Sequence, residues 1–135
     1  MDLELIETGN GGDLRIVGND LAVVNGYENM PYLAMFGGSE FWGNDLLFNE
    51  GTDFKFSSTT EKVLQSVALN SAGRIEIEAA ILADLAFIKK NVPDTKIVVS
   101  TSIVTPDRLD IAINIDGQAF YFEWNPSTAY LNYRV

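Results

Sequence analysis

The segment from Ser58 to Lys90 constrains the fold most, because it alone has sustained helical character. Apolar residues recur in it at spacings of three and four, as in a helix with one buried face. The residues available for that face are Val63, Leu64, Val67, Ala68, Ile75, Ala79, Leu82 and Ala86. Ser58-Thr59-Thr60-Glu61 has the form of a capping box. Because Asn70-Ser71-Ala72-Gly73 has low helix propensity, we predict two helices or one kinked helix.

Strand signals dominate the chain after this segment. The stretch 96–104 is rich in Val, Ile, Ser and Thr, and residues 109–115 alternate apolar with polar. Asp116-Gly117 predicts a two-residue hairpin turn. Its register sets Leu109, Ile111 and Ile113 opposite Trp124, Phe122 and Phe120. The same register opposes Asp110 to Glu123, so we predict a bulge near the open end of the hairpin.

Shorter elements complete the predicted order. Residues 3–8 form an edge strand or an arm, residues 13–24 form a hairpin around Gly18-Asn19-Asp20, and a short helix covers about 27–36. Residues 128–135 form a last strand that is apolar on both sides, which is typical of a strand that is either sandwiched within its own domain or borrowed by a partner. We therefore predict one α+β domain over 1–135. Its antiparallel sheet, from the N-terminal hairpin and the C-terminal strands, packs on two or three helices.

Composition and charge exclude several function classes. The chain of 135 residues is 47% hydrophobic, which argues against disorder. Its net charge of −10 argues against nucleic acid and anionic membranes as partners. The absence of Cys and His excludes thiol catalysis, Ser-His triads and the usual zinc sites. No phosphate-binding glycine motif occurs, so we expect no cofactor. We also expect no secretion signal, since the start of the chain is acidic.

Residues 39–53 are the least regular and most distinctive part of the sequence. Phe41-Trp42-Gly43-Asn44 sets two large aromatic residues before a turn. One interpretation is an aromatic recognition loop. The other, which we favour, is that Trp42 and Phe48 fill the core beneath an irregular loop.

The same loop is rich in carboxylates. Paired-carboxylate hydrolysis is the chemistry that remains open to a chain without His and Cys. The candidates are Glu40, Asp45, Glu50 and Asp53. Their spacing does not match the twelve-residue calcium loop, so we predict no metal site. A solvated acidic loop is the simpler interpretation, and we favour it.

The order of these signals resembles a known family. "GYENMPYLAMFG" is followed by "FWGN", then by "TTEKVLQSVALNSAG", and finally by "RLDIAINIDGQAFYFEW". This order resembles the small baseplate proteins of contractile-tailed phages, specifically the Mu-like gene-46 family, which is related to the gene-25 wedge family. The resemblance covers residues 12–124. Its most specific parts are the Phe-Trp-Gly-Asn loop and the Asp-Gly hairpin that follows the helices.

The resemblance implies a structural subunit of the baseplate wedge, without catalysis and without a cofactor. Its implied partners are other baseplate or tail proteins, including the sheath. Its implied location is the virion tail baseplate, and the host cytoplasm during assembly. In gene-25-like proteins the C-terminal region lends strands to the sheath, and residues 118–135 occupy the matching place here, with 125–135 as a partner-binding strand. No Glu-Pro-Arg motif occurs in this sequence, so the contact that this motif makes in gene-25 relatives is not carried over.

The prediction for the interaction surface combines the aromatic loop with the C-terminal strands. The predicted contact residues are Phe41, Trp42, Glu123, Trp124, Tyr130, Leu131 and Tyr133. Two alternatives stay open. The first is an acidic lysozyme-like glycoside or peptidoglycan hydrolase that uses Glu40 and Glu50, because related families carry a lysozyme-like label. The second is a small regulatory or chaperone-like binding module.

Overall fold

In the described parts of the chain, three helices lie in sequence between N-terminal and C-terminal strands. The computed structural model describes residues 2–7, 12–24, 26–36, 58–128 and 130–134. In chain order its elements are β1 (Asp2–Leu3), β2 (Leu5–Glu7), β3 (Gly12–Leu14), β4 (Ile16–Val17), β5 (Asp20–Leu21), β6 (Val23–Val24), α1 (Met30–Phe36), α2 (Thr60–Ser66), α3 (Ser71–Asn91), β7 (Ile97–Thr105), β8 (Arg108–Ile115), β9 (Gln118–Asn125) and β10 (Tyr130–Arg134). The predicted α+β class is confirmed.

The four C-terminal strands form one antiparallel sheet in the order β10-β9-β8-β7. The predicted register of the β8–β9 hairpin is confirmed, with Leu109, Ile111 and Ile113 opposite Trp124, Phe122 and Phe120. Asp116 and Gly117 form the turn with φ angles of 51° and 88°. A two-residue turn of this kind requires positive φ at both positions, which explains why this dipeptide starts the hairpin.

The bulge that we predicted in this hairpin is absent. Asp110 lies opposite Glu123 in an uninterrupted β8–β9 ladder. The register shifts instead between β7 and β8, where Ile103 pairs with Leu109 and Thr105 pairs with Arg108. The repulsion between Asp110 and Glu123 is therefore offset in another way, by the ion pairs that both carboxylates form with Arg108.

One face of the sheet packs against α3, and the side chains between them form the core. The helix contributes Ile77, Ile81 and Leu85, each 0% exposed. Met35 of α1 and Leu64 of α2 close the same core from the side. The buried strand side chains are Leu109, Ile111, Ile113, Ile115, Phe120, Phe122 and Trp124.

The predicted buried face of α3 is wrong. Ile75, Ala79, Leu82 and Ala86 are exposed on this helix. The buried positions are Ile77, Ala80, Ile81, Leu85 and Ile88. Both sets recur at spacings of three and four, so periodicity alone does not choose between them. In α2, by contrast, Leu64 is buried as predicted, while Val63 and Val67 are half-buried and Ala68, just after the helix, is exposed.

Two separate helices, α2 and α3, cover the segment from Ser58 to Lys90, in agreement with one of the two predictions for it. Asn70 begins α3 as its N-cap, and its Oδ1 accepts from the amide of Gly73 at 2.8 Å. Gly73 is buried, and a Cβ atom placed there would lie 1.9 Å from the carbonyl oxygen of Ala68. The glycine therefore permits close approach of the backbone before α3, and it does not end a helix.

The predicted capping box at Ser58 does not form. Ser58 donates its hydroxyl to the carbonyl of Ala34, and the N-cap residue Thr59 makes no side-chain cap. Asp84 of α3 supplies the cap instead. Its carboxylate accepts from the amides of Thr59 at 3.0 Å and Thr60 at 2.8 Å, and from the Thr60 hydroxyl at 2.5 Å. A single carboxylate thus caps α2 and ties it to α3.

The N-terminal strands form three short ladders of their own, outside the four-stranded sheet. β1 pairs with β6, β2 with β3, and β4 with β5. The predicted hairpin around Gly18 corresponds to the β4–β5 pair, where Gly18 has a φ of 65°. The predicted short helix corresponds to α1, with Pro31 in its first turn, where a missing amide proton costs no helical hydrogen bond.

We expect Asp84→Ala to lower the free energy of unfolding by about 2–3 kcal/mol, because two helix amides and the buried Thr60 hydroxyl lose their acceptor. Urea denaturation measures this loss. The matched control is Asp94→Ala in the exposed turn after α3, with an expected change within about 0.5 kcal/mol. Equal losses for the two variants would show that Asp84 has no special capping role.

We expect Gly73→Ala to destabilise the protein by about 1–3 kcal/mol, although alanine is normally the better helix former. The reason is the carbonyl of Ala68, which occupies the position of the added methyl group. The reverse change at an exposed site of the same helix, Ala79→Gly, should cost about 1 kcal/mol through propensity alone. A stabilising Gly73→Ala substitution in thermal denaturation would contradict the close approach.

Candidate functional site

The face of the C-terminal sheet that points away from α3 is the candidate site. It is built from the residues that alternate with the core positions of β7, β8 and β9. An open depression of about 430 Å³ lies on it. Its outward-facing lining includes Ser100, Ser102, Asp110, Ala112 and Tyr121, whose exposed fraction is 50%. Hydroxyl groups, one carboxylate and one half-exposed ring suit a polar contact surface with an aromatic anchor.

An ion-pair cluster lies at one end of this face. The Arg108 guanidinium contacts Asp110 through Nε–Oδ1 at 2.9 Å and Nη2–Oδ2 at 3.2 Å. The same Nη2 lies 2.9 Å from Oε1 of Glu123. The hydrogen bond to Asp110 raises the pKa of Arg108 above its ordinary value, with help from both nearby carboxylates. The cation offsets the cross-strand repulsion, so the ladder runs without a bulge.

Sequence reasoning missed this role of Arg108, although a signal was present. Residues two apart on a strand lie on the same face, so the alternation predicts that Arg108 and Asp110 are neighbours. Glu123, which was predicted as a contact residue, is half-buried and belongs to this cluster. It therefore lies at the candidate face, held by an intramolecular ion pair.

Trp124, another predicted contact residue, does not lie on the surface. It is 2% exposed and packs in the core on the same face as Leu109. The prediction of Trp124 as a surface residue is therefore wrong for the folded chain. The alternation of β9 carried the signal, because Phe120, Phe122 and Trp124 share one face. The indole Nε1 is buried and finds no hydrogen-bond partner within the described parts of the chain.

The aromatic loop lies outside the described residues. This holds for Phe41, Trp42 and Phe48, and for the carboxylates Glu40, Asp45, Glu50 and Asp53. The recognition-loop and hydrolase interpretations of residues 39–53 stay predictions.

The last strand pairs within its own domain along one edge. β10 runs antiparallel to β9, with Tyr130 opposite Asn125, Leu131 opposite Trp124 and Tyr133 opposite Phe122. The three predicted contact residues Tyr130, Leu131 and Tyr133 thus lie on an edge strand of the sheet. Within the described ranges, no segment pairs with the other side of β10.

The opposite edge of the sheet, β7, is covered at its centre by α3. The Thr101 amide and hydroxyl both donate to Oε1 of Glu78, at 3.0 and 2.6 Å. Nη1 of Arg74 donates to the Thr101 carbonyl at 2.8 Å. The helical spacing of Arg74 and Glu78 predicts a surface pair between them. Instead, both side chains satisfy the edge backbone, which is a known way to prevent unwanted strand pairing.

The direction of the β10 backbone groups follows from these bonds. Because the amide and carbonyl of Thr101 point to α3, the Thr101–Ile111 pair is a non-hydrogen-bonded pair of the β7–β8 ladder. The backbone groups of Ile111 therefore point toward β9, where Ile111 and Phe122 form a hydrogen-bonded pair. The amide and carbonyl of Phe122 thus point toward β8 and leave no bond for Tyr133, its neighbour on β10. The amides and carbonyls of Tyr133 and Leu131 then point away from β9, to the outer edge.

Comparison with known proteins found no relative: no protein-family model, curated protein or solved structure matches the chain. Within the described ranges, no helix is long and apolar enough to span a membrane. The acidic side chains of those same ranges include no group of three or more that could hold a metal ion. The candidate site is therefore defined by its geometry alone.

We expect a double-mutant cycle to reveal the bridging role of Arg108. Arg108→Met should lower stability, because Asp110 and Glu123 then face each other without a cation. Glu123→Gln should be neutral or slightly destabilising alone, yet stabilising in the Arg108→Met background. Urea denaturation of the four proteins checks this reversal of sign, and simple additivity would contradict it.

Proposed function

We propose that this chain is a structural subunit of a contractile tail baseplate in a phage or prophage, and that it acts through protein–protein contacts without catalysis. The resemblance to the Mu-like gene-46 family supports the baseplate assignment. The geometry of the β10 edge supports the mode of action, and it is the observation that carries the proposal. In this proposal the partners are neighbouring tail proteins, including the sheath, and the location is the virion tail.

The two edges of the sheet support this mode because they differ. On β7, Arg74 and Glu78 occupy the backbone groups of Thr101. On β10, the outward amides of Leu131 and Tyr133 meet no pairing strand within the described residues. An extended segment of a partner can extend such a sheet, since main-chain hydrogen bonds supply affinity and alternate side chains supply specificity. The acidic net charge favours a basic partner and speeds the encounter.

Pairing on the outer edge is the favoured form of this contact. Donation of the terminal strand to a neighbour would separate the five residue pairs that join β10 to β9. Addition of a partner strand to the outer edge keeps all five pairs. We therefore propose that β10 stays in its sheet and receives a strand, or forms one side of a shared sheet, during assembly.

We expect Tyr133→Pro to reduce the yield of intact tails by at least about tenfold, because proline removes an outward amide. The control Tyr133→Val keeps that amide and should retain assembly within a few-fold of wild type. Asn132→Pro removes an amide that faces β9, so it should also destabilise the isolated domain. Complementation of a phage or prophage that lacks this gene, followed by electron microscopy, measures the yield.

Mass spectrometry of purified tails supplies the second check. The chain should be a stoichiometric component of wild-type particles. Absence of the chain from particles would overturn the baseplate proposal itself. Normal tails with Tyr133→Pro, in particles that contain the chain, would overturn only the role of the β10 edge.

A further inference from the structure

The three N-terminal ladders meet at a closed ring of hydrogen bonds. The Glu4 amide donates to the Ala22 carbonyl at 2.9 Å, the Ala22 amide to the Arg15 carbonyl at 2.9 Å, and the Arg15 amide to the Glu4 carbonyl at 3.0 Å. Each of these residues lies where its segment changes from one partner strand to another. Three short ladders therefore radiate from one centre.

The residues that flank this centre form a continuous apolar face, which we call the aliphatic face. They are three directly paired couples: Leu3 with Val23, Leu5 with Leu14, and Ile16 with Leu21. Because each is one residue away from Glu4, Arg15 or Ala22, strand alternation puts all six side chains on the side opposite to those three. Their exposed fractions range from 37% to 67%. Grouped apolar side chains this exposed are characteristic of interaction sites.

The aliphatic face is held in place by Asn29, the residue before α1. Asn29 is 5% exposed. Its Oδ1 accepts from the amide of Leu5 at 3.0 Å, and its Nδ2 donates to the carbonyl of Leu3 at 2.6 Å. These two bonds join the ladders to the helical part of the domain. A contact surface on an anchored scaffold loses less conformational entropy on binding than a free arm would.

The charge of this part of the chain selects the kind of partner. Residues 1–36 contain six acidic residues and one basic residue, Arg15, a net charge of −5 that is half of the chain's −10. Asp13 and Asp20 are exposed, and their carboxylates accept from the amides of Leu14 and Leu21 at 2.8 Å, so negative charge lies beside the backbone of two residues of the aliphatic face. A second copy of the chain would bring the same negative charge, and like charges across an interface are unfavourable.

We propose that the aliphatic face binds a different protein, one whose contact surface is apolar at its centre and carries Lys or Arg at its margin. The apolar centre supplies the free energy of association, and the opposite charges select the partner. This inference does not depend on the place of the chain in a tail. It concerns a surface separate from the β10 edge.

The test uses two amphipathic helical peptides as probes, one with a leucine face and lysines (LK) and the other with a leucine face and glutamates (LE). We expect LK to bind the full chain in fluorescence anisotropy and LE not to bind. The double variant Ile16→Thr/Val23→Thr should weaken LK binding by about tenfold or more, since it removes apolar contact while keeping the chain's charge. Threonine keeps the β-branched shape, so the ladders should persist.

The matched control is Ile75→Thr/Val92→Thr, which changes an exposed isoleucine of α3 (63%) and an exposed valine just after that helix (47%). It should bind LK as the wild type does. Equal LK binding by the wild type and the aliphatic-face variant would overturn the proposal, because binding would then follow charge alone. Equal binding of LE and LK by the wild type would also overturn it. Self-association of the wild type in sedimentation equilibrium that Ile16→Thr/Val23→Thr abolishes would overturn it as well. Circular dichroism verifies that both variants are folded.

Discussion

Burial of the β8–β9 side-chain ladder beneath α3 is the interaction on which the rest of the structure depends. The aromatic rings of Phe120 and Phe122 pack with the isoleucines of β8 against one stripe of the helix. Removing this apolar surface from water supplies the main stabilising free energy. It also fixes which strand residues face outward. The position of Asp110, Glu123 and Tyr121 on the outer face is therefore a consequence of what the core needs.

The polar side chains of α3 act as specific ties around this apolar layer. Asp84 caps α2, while Glu78 and Arg74 bind the edge of β7 at Thr101. Each tie satisfies backbone groups that would be costly if they were left without a partner. Glu78 and Arg74 also hinder strand addition at the centre of the β7 edge, because they bond to the Thr101 backbone. The helix thus leaves the two edges of the sheet unequal, with the centre of β7 bonded to its side chains.

The hairpin and the two-helix segment could be predicted because local rules govern them: Asp116-Gly117 needs positive φ, and Asn70 caps a helix start. The buried face of α3 was missed, since Ile75 and Ile77 belong to two stripes that both recur at helical spacing. The buried stripe has the larger side chains, including Ile81, Leu85 and Ile88, a difference that spacing alone does not weigh. The capping role of Asp84 was missed as well, because its partners lie 24 and 25 residues away. For the site, alternation was enough to place Glu123 outside and Trp124 inside. The aliphatic face needed the pairing of six short strands, which no local pattern gives.

The ring formed by Glu4, Arg15 and Ala22 has a consequence for how the N-terminal ladders open. Glu4, Arg15 and Ala22 each lie inside a segment and not at its end, so each of the three segments is hydrogen-bonded to both of the others. Loss of any one segment removes two of the three central hydrogen bonds and two of the three ladders, and the remaining pairs are too short to persist alone. The ladders therefore open and close as a single cooperative unit, with Asn29 as its attachment to the helical body. A small unit that opens in one step can expose or withdraw its whole apolar surface at once while the main core stays folded.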